Sequence, residues 1–169
     1  MKREKQVKNL QDNLNTIRLI AGWSTTKLGK KIGVTKQTIW NIENPKRENK
    51  EKAYEMTLTQ YLALRYILDE EVEKNHNAKV LKLAIKILVD NETFESKEDE
   101  DLFKEQMKVI AASAEKGVKE ESLLQLSSIL IGSLPMVAGA VIAALGKPAM
   151  GIVVQKDLGP VIKDILKNM

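Results

Sequence analysis

The side chains best placed to make specific polar contacts lie between Thr35 and Ile42. In this stretch Ile39 and Ile42 share one face of a predicted helix, and the other positions are filled by Lys36, Gln37, Thr38, Trp40 and Asn41. Amide and hydroxyl groups both donate and accept hydrogen bonds, and lysine adds a positive charge. The polar face of this helix is therefore the most informative feature of the chain, and its chemistry is recognition rather than covalent catalysis.

Residues from which an active site could be built are scarce. The chain has no cysteine, which removes disulfides, thiolate catalysis and sulfur-bound metal, and its one histidine, His76, is predicted to be an exposed loop residue. Gly146-Lys147 does not form a nucleotide-binding loop, because Val141 stands where the first glycine is needed and Pro148 where magnesium would be bound. We expect no catalytic residue, no metal site and no cofactor, and so not an enzyme.

Composition and charge favour a helical protein with two unlike parts. The 169 residues are 43% hydrophobic and 30% charged, and Lys, Leu, Glu, Ile and Ala dominate, which predicts an all-α fold. Residues 1–55 carry 13 basic and 6 acidic side chains, a net charge of +7, whereas the remainder sums to −3. A basic N-terminal segment suits phosphate binding, and an unevenly charged soluble surface is the alternative. No apolar signal segment follows the charged N-terminus, so we expect a cytoplasmic protein.

Three helices are predicted in the first part of the chain. Gly22 ends the first, whose inward face is marked by apolar residues three and four apart: Val7, Leu10, Leu14, Ile17 and Ala21. Ser24 caps the second, which ends at Gly33, and Thr35 caps the third, which ends at Asn44-Pro45.

Three more helices are predicted farther along. Thr57 to Gln60 has the pattern of a capping box, and the helix that it opens has this predicted inward set: Leu58, Tyr61, Leu62, Leu64, Ile67, Leu68 and Val72. A fifth helix ends near Asp90. A polar stretch at residues 91–101 precedes a sixth, marked by Phe103, Met107, Ile110 and Ala114. A break near His76 predicts a boundary between a head, residues 1–76, and a C-terminal helical region, residues 77–169.

The stretch from Arg18 to Asn44, RLIAGWSTTKLGKKIGVTKQTIWNIEN, resembles the XRE family of helix-turn-helix regulators, which includes the lambda and 434 repressors and Cro. The resemblance extends more loosely towards residue 70. It implies a lambda-repressor-like bundle in residues 1–76, in which the helix from Thr35 to Ile42 enters the major groove of DNA. A tight turn at Gly33 would let two short helices cross steeply and push the start of the second one outward.

The resemblance also implies which residues touch DNA. The expected base contacts are made by Lys36, Gln37, Thr38 and Asn41, with Gln37 suited to a bidentate contact to adenine. The expected phosphate contacts are made by Thr25, Lys27, Lys46 and Arg47. At Trp40 the chain departs from the family pattern, which often has a polar residue there, so contact with the groove, with a sugar or with the following helix stays open.

The end of the chain is apolar. Between Ser122 and Gly146 there is no charged residue, and Leu, Ile, Gly, Ala and Ser dominate. One interpretation is a homodimer formed through residues 77–169, which would hold two heads one DNA turn apart. The other is membrane association, because the length is that of a bilayer-spanning segment, although Pro135 and the small residues weaken it.

Two classes of function follow. The first is a dimeric, sequence-specific regulator of transcription, a repressor, that binds double-stranded DNA. The alternative is a membrane-tethered or antitoxin-like interaction protein whose C-terminal helices bind a partner. A protein that stays in solution as a defined dimer would favour the first, and one that requires detergent would favour tethering.

Overall fold

A computed structural model describes residues 2–46, 53–74, 78–90 and 97–132. Every regular element within these ranges is helical, which confirms the all-α prediction. The elements are α1 (Lys2–Ile20), α2 (Thr25–Ile32), α3 (Lys36–Glu43), α4 (Leu58–Lys74), α5 (Lys79–Ala84) with a π-helical turn (Ile85–Val89), α6 (Lys97–Glu115) and α7 (Glu120–Gly132).

Local sequence signals correctly predict where α1 and α2 end and where α2 and α3 begin. Ser24 Oγ accepts a hydrogen bond from the backbone N–H of Lys27 at 3.1 Å, and Thr35 Oγ1 accepts one from that of Thr38 at 3.1 Å. Gly22 and Gly33 follow α1 and α2 with φ of 65° and 73°, the left-handed conformation that favours glycine. The first helix is longer than its apolar pattern indicates, because the charged residues before Val7 continue it back to Lys2.

The predicted capping box also forms, since the N–H of Thr57 donates to Gln60 Oε1 at 3.0 Å and the N–H of Gln60 donates to Thr57 Oγ1 at 3.2 Å. The inward set predicted for α4 is wrong at two positions, because Leu58 is 48% exposed and Leu62 is 49% exposed. The neighbours of α4 are α1, α2 and α5, and they bury only the edge that carries Tyr61, Leu64, Ile67 and Leu68.

One apolar core joins the head to the helices that follow it. Leu10, Leu14 and Ile17 of α1 belong to the same buried cluster as Phe103, Met107 and Ile110 of α6. Two amides of α1 reinforce the contact with the π turn: Asn9 Nδ2 donates to the carbonyl of Val89 at 3.3 Å and Asn13 Nδ2 to that of Leu88 at 3.4 Å. The boundary predicted near residue 76 therefore separates two segments that share a core.

The C-terminal region begins its first long helix earlier than predicted. Helix α6 starts at Lys97, so the end of the polar stretch predicted at residues 91–101 is helical. The uncharged stretch from Ser122 enters α7, and beyond Gly132 it lies outside the described residues, as does His76. Among the helices in the described ranges, none combines the length and the apolar character needed to cross a bilayer.

Candidate nucleic-acid interface

The turn between α2 and α3 is built by a close approach of backbone to backbone. The N–H of Val34 donates to the carbonyl of Gly29 at 2.9 Å. A Cβ atom added at Gly29, which is buried, would lie 2.7 Å from the carbonyl oxygen of Val34 and 3.3 Å from the carbonyl carbon of Thr35. Glycine is therefore required at this point of α2 for α3 to pack at its observed distance.

Helix α3 divides sharply into a buried side and an outward side. Ile39 and Ile42 are fully buried, as predicted. The four predicted base-contacting residues occupy the rest of the helix: Lys36 and Gln37 are exposed, and Thr38 and Asn41 are half-buried. Trp40, between them, is 44% exposed. All five side chains thus share one helix of the described structure, on the arc that its apolar side leaves uncovered.

Hydrogen bonds along α3 order the outward side chains. Gln37 Nε2 donates to Asn41 Oδ1 at 2.9 Å, one helical turn away. The hydroxyl groups of Thr35 and Thr38 lie 3.0 Å apart and share a hydrogen bond, so the Thr38 side chain belongs to the helix cap as well as to the outward face. The remaining groups of the amide pair, Gln37 Oε1 and Asn41 Nδ2, are one acceptor and one donor.

The residues predicted to meet phosphates lie at helix ends. Thr25 is the first residue of α2 and half-buried, and Lys27 is exposed in the same turn. The start of a helix carries a partial positive charge, which suits an anion. Lys46, exposed, follows the end of α3. Arg47, the fourth predicted phosphate contact, lies outside the described residues.

A buried ion pair, which the sequence pattern did not reveal, attaches the end of α3 to α1. Arg18 Nε and Nη2 donate to the two carboxylate oxygens of Glu43 at 2.6 and 3.2 Å. Its Nη1 donates to the carbonyl of Trp23 at 2.8 Å and Nη2 also donates to Asn15 Oδ1 at 2.7 Å. The only signal in the sequence is that each charged residue directly follows an inward isoleucine, Ile17 or Ile42.

A second residue that the sequence did not single out, Gln11, connects α1 to the segment between α3 and α4. Its Nε2 donates to the carbonyl of Tyr54 at 2.7 Å and to that of Ile42 at 3.4 Å, while its Oε1 accepts from the N–H of Met56 at 2.9 Å. Because one amide contacts both the end of α3 and the segment that leads into α4, Gln11 holds this connection against α1. Nothing in the local pattern around Gln11 distinguishes it from a solvated polar residue.

Within the described ranges, no three acidic or histidine side chains converge as metal ligands. Comparison with protein-family models, with curated proteins and with solved structures finds no match for this chain. Function is therefore inferred from the geometry of α2 and α3.

Proposed function

We propose that the chain is a sequence-specific regulator of transcription, a repressor, which binds double-stranded DNA as a dimer by inserting α3 into the major groove. The observation that carries the proposal is the two-sided character of α3. Its apolar side is fully buried at Ile39 and Ile42 and anchored by the Arg18–Glu43 pair, while its outward side presents two amides, a hydroxyl and an ammonium group.

The outward groups match the edges of bases. In the major groove adenine presents an acceptor and a donor side by side, which an amide contacts in a bidentate manner, and lysine donates to the acceptors of guanine. Gln37 and Asn41 act as one unit in this proposal, because their mutual hydrogen bond orients both amides before DNA arrives. Ordering in advance reduces the entropy cost of binding.

The positive charges of the head supply affinity that does not depend on sequence. Residues 1–55 have a net charge of +7. Lys27 lies in the first turn of α2 and Lys46 follows the end of α3, so the two lysines flank α3 along the chain. Phosphate contacts of this kind hold the protein in register on the duplex while base contacts select the site. Because one α3 reaches only a few base pairs, the proposal includes a second copy on a two-fold symmetric site. No catalytic role is proposed.

The test is selection of genomic DNA fragments by the purified full-length protein at two salt concentrations. Low salt favours binding to any duplex, so a real preference must survive at the higher salt. We expect an enriched motif with two-fold symmetry, and we expect the double variant Gln37→Ala, Thr38→Ala to lose it under the same conditions. The absence of any enriched motif would overturn the proposal and favour a protein whose C-terminal helices bind a partner.

A further inference from the structure

The amide of Gln37 is held by a neighbouring side chain on the outward side of α3. Its Nε2 donates to Asn41 Oδ1 at 2.9 Å, and the two residues are one helical turn apart. Side chains of a helix lean towards its amino terminus, so the Asn41 side chain projects back towards the turn that carries Gln37. Seen from the start of α3, the Asn41 amide therefore lies behind that of Gln37.

The two residues differ in how far they reach from the protein. Gln37 is exposed and lies in the first turn of α3, whereas Asn41 is half-buried, lies one turn farther on and has the shorter side chain. In the proposed complex the first turn of α3 leads into the groove, because the amino-terminal residues of such a helix contact the base edges. Gln37 is therefore the better placed of the two to meet a base.

The hydrogen bond between the two amides determines which way each end of the Gln37 amide faces. It uses one hydrogen of Nε2 and leaves the second hydrogen and Oε1 for another partner. Adenine presents a donor and an acceptor side by side in the major groove, and an amide contacts both when its oxygen faces the donor and its nitrogen the acceptor. The two ends of an amide are nearly alike in shape, so an unheld glutamine presents them in either order. A held glutamine presents one order.

We propose that Asn41 is a positioning residue, which selects adenine through Gln37 instead of making a base contact of its own. Asn41 Oδ1 holds Gln37 Nε2 so that Oε1 and the second N–H of Gln37 together face the edge of one adenine. This role differs from the direct base contact expected for Asn41 from the sequence. The inference rests on the proposed function, since it names the base that α3 selects at one position and the residue that enforces the selection.

A merely structural role for the same hydrogen bond has a different consequence. A polar pair four residues apart changes the equilibrium constant of helix formation by only about twofold. A change in helix stability affects binding to all sequences alike, whereas a positioning role changes the preference among base pairs at one position of the DNA site. The two roles are therefore separated by measuring the sequence preference and not the affinity alone.

The experiment is competition binding of the purified full chain to duplexes that carry the enriched motif, with each position changed in turn to the other base pairs. The position that loses its preference in Gln37→Ala is the one that Gln37 reads, and we expect an A·T pair there. Asn41→Ala is expected to reduce the preference at the same position, and at no other, by at least about fivefold, the size of one lost base contact.

Asn41→Asp is the matched variant, because it keeps an oxygen acceptor for Gln37 Nε2 and removes the Nδ2 donor. It is expected to retain the preference for adenine, although its negative charge lowers the affinity for every duplex by repulsion from the phosphates. The double variant Gln37→Ala, Asn41→Ala is expected to lose no more preference than Gln37→Ala does, because the effects of two residues that act as a unit are not additive.

Three results would overturn the inference and leave the proposed function intact. They are relaxation of a different position by Asn41→Ala, loss of the preference in Asn41→Asp as complete as in Asn41→Ala, and a base other than adenine at the position that Gln37 reads. A wild-type protein that enriches no motif, or a Gln37→Ala variant that keeps every preference, would overturn the proposed insertion of α3 together with this inference.

Discussion

The carboxylate of Glu43 at the end of α3 receives two hydrogen bonds from the guanidinium of Arg18 on α1, at 2.6 and 3.2 Å, with the Arg18 and Glu43 side chains only 9% and 5% exposed. The same guanidinium donates a hydrogen bond to the carbonyl of Trp23, which lies just before α2. One arginine thus connects α1 both to the end of α3 and to the segment that leads into α2. The orientation of α3, and with it the direction of Gln37 and Asn41, depends on this contact.

Replacing Arg18 with alanine is expected to lower the free energy of unfolding by about 3–5 kcal/mol, because Glu43 is left buried without its partner. Urea denaturation followed by circular dichroism measures the change. The double variant Arg18→Met, Glu43→Leu should be destabilised much less than the sum of the two single variants. Lys108→Ala is the control, since its pair with Glu105 is exposed and worth less than about 1 kcal/mol. Equal destabilisation by Arg18→Ala and Lys108→Ala would contradict this account.

Replacing Gln37 and Thr38 with alanine is expected to weaken binding by about 1–3 kcal/mol for each base that these side chains read, and to relax the sequence preference while non-specific binding persists. Competition binding between the selected site and random DNA measures both the affinity and the sequence preference. Lys27→Ala is the complementary variant, which should weaken binding to all sequences alike and reduce the salt dependence by about one phosphate contact. An unchanged preference in the Gln37 and Thr38 variant would mean that another face of the protein contacts the bases.

Gly29→Ala is expected to destabilise the protein by about 1–3 kcal/mol, the range typical of overpacking, although alanine is the better helix former. The new Cβ would lie 2.7 Å from the carbonyl oxygen of Val34, a backbone atom that cannot move without shifting α3. Lys30→Ala, at the next and exposed position of α2, should have almost no effect. Thermal unfolding of both variants is the measurement, and a gain in stability from Gly29→Ala would show that α3 is free to shift.

Stability is expected to fall above pH 10 in part because of Tyr61. Burial raises the pKa of its hydroxyl above the ordinary value of 10.0, so the neutral phenol is favoured in the folded state. The stability that Tyr61 contributes is fully present below the pKa of its hydroxyl in the unfolded chain. It is lost as the pH rises through the pKa of the same hydroxyl in the folded protein. Tyr61→Phe should therefore flatten the alkaline fall in unfolding free energy. An alkaline fall in Tyr61→Phe as steep as that of the wild type would contradict this account.

The sequence alone determined the local features of the head. Ser24, Gly33, Thr35 and the Thr57–Gln60 box specified where helices begin and end, because caps and left-handed turns depend on neighbours a few residues away. Alternation of apolar and polar positions identified Ile39 and Ile42 as the buried side of α3 and left Lys36, Gln37 and Asn41 outside. Periodicity works in a short helix that packs on one side only.

Tertiary structure decided what the pattern could not. Leu58 and Leu62 have the spacing of core residues, yet they lie outside because the neighbours of α4 cover a narrower edge than its apolar residues span. In the sequence, Arg18, Glu43 and Gln11 are indistinguishable from solvated polar residues. In the structure they make hydrogen bonds to residues 25 to 45 positions away along the chain. The sharing of one core between α1 and α6 is likewise a long-range contact. Helix propensity and hydrophobic periodicity describe one element at a time, whereas the burial of a side chain depends on which other element packs against it.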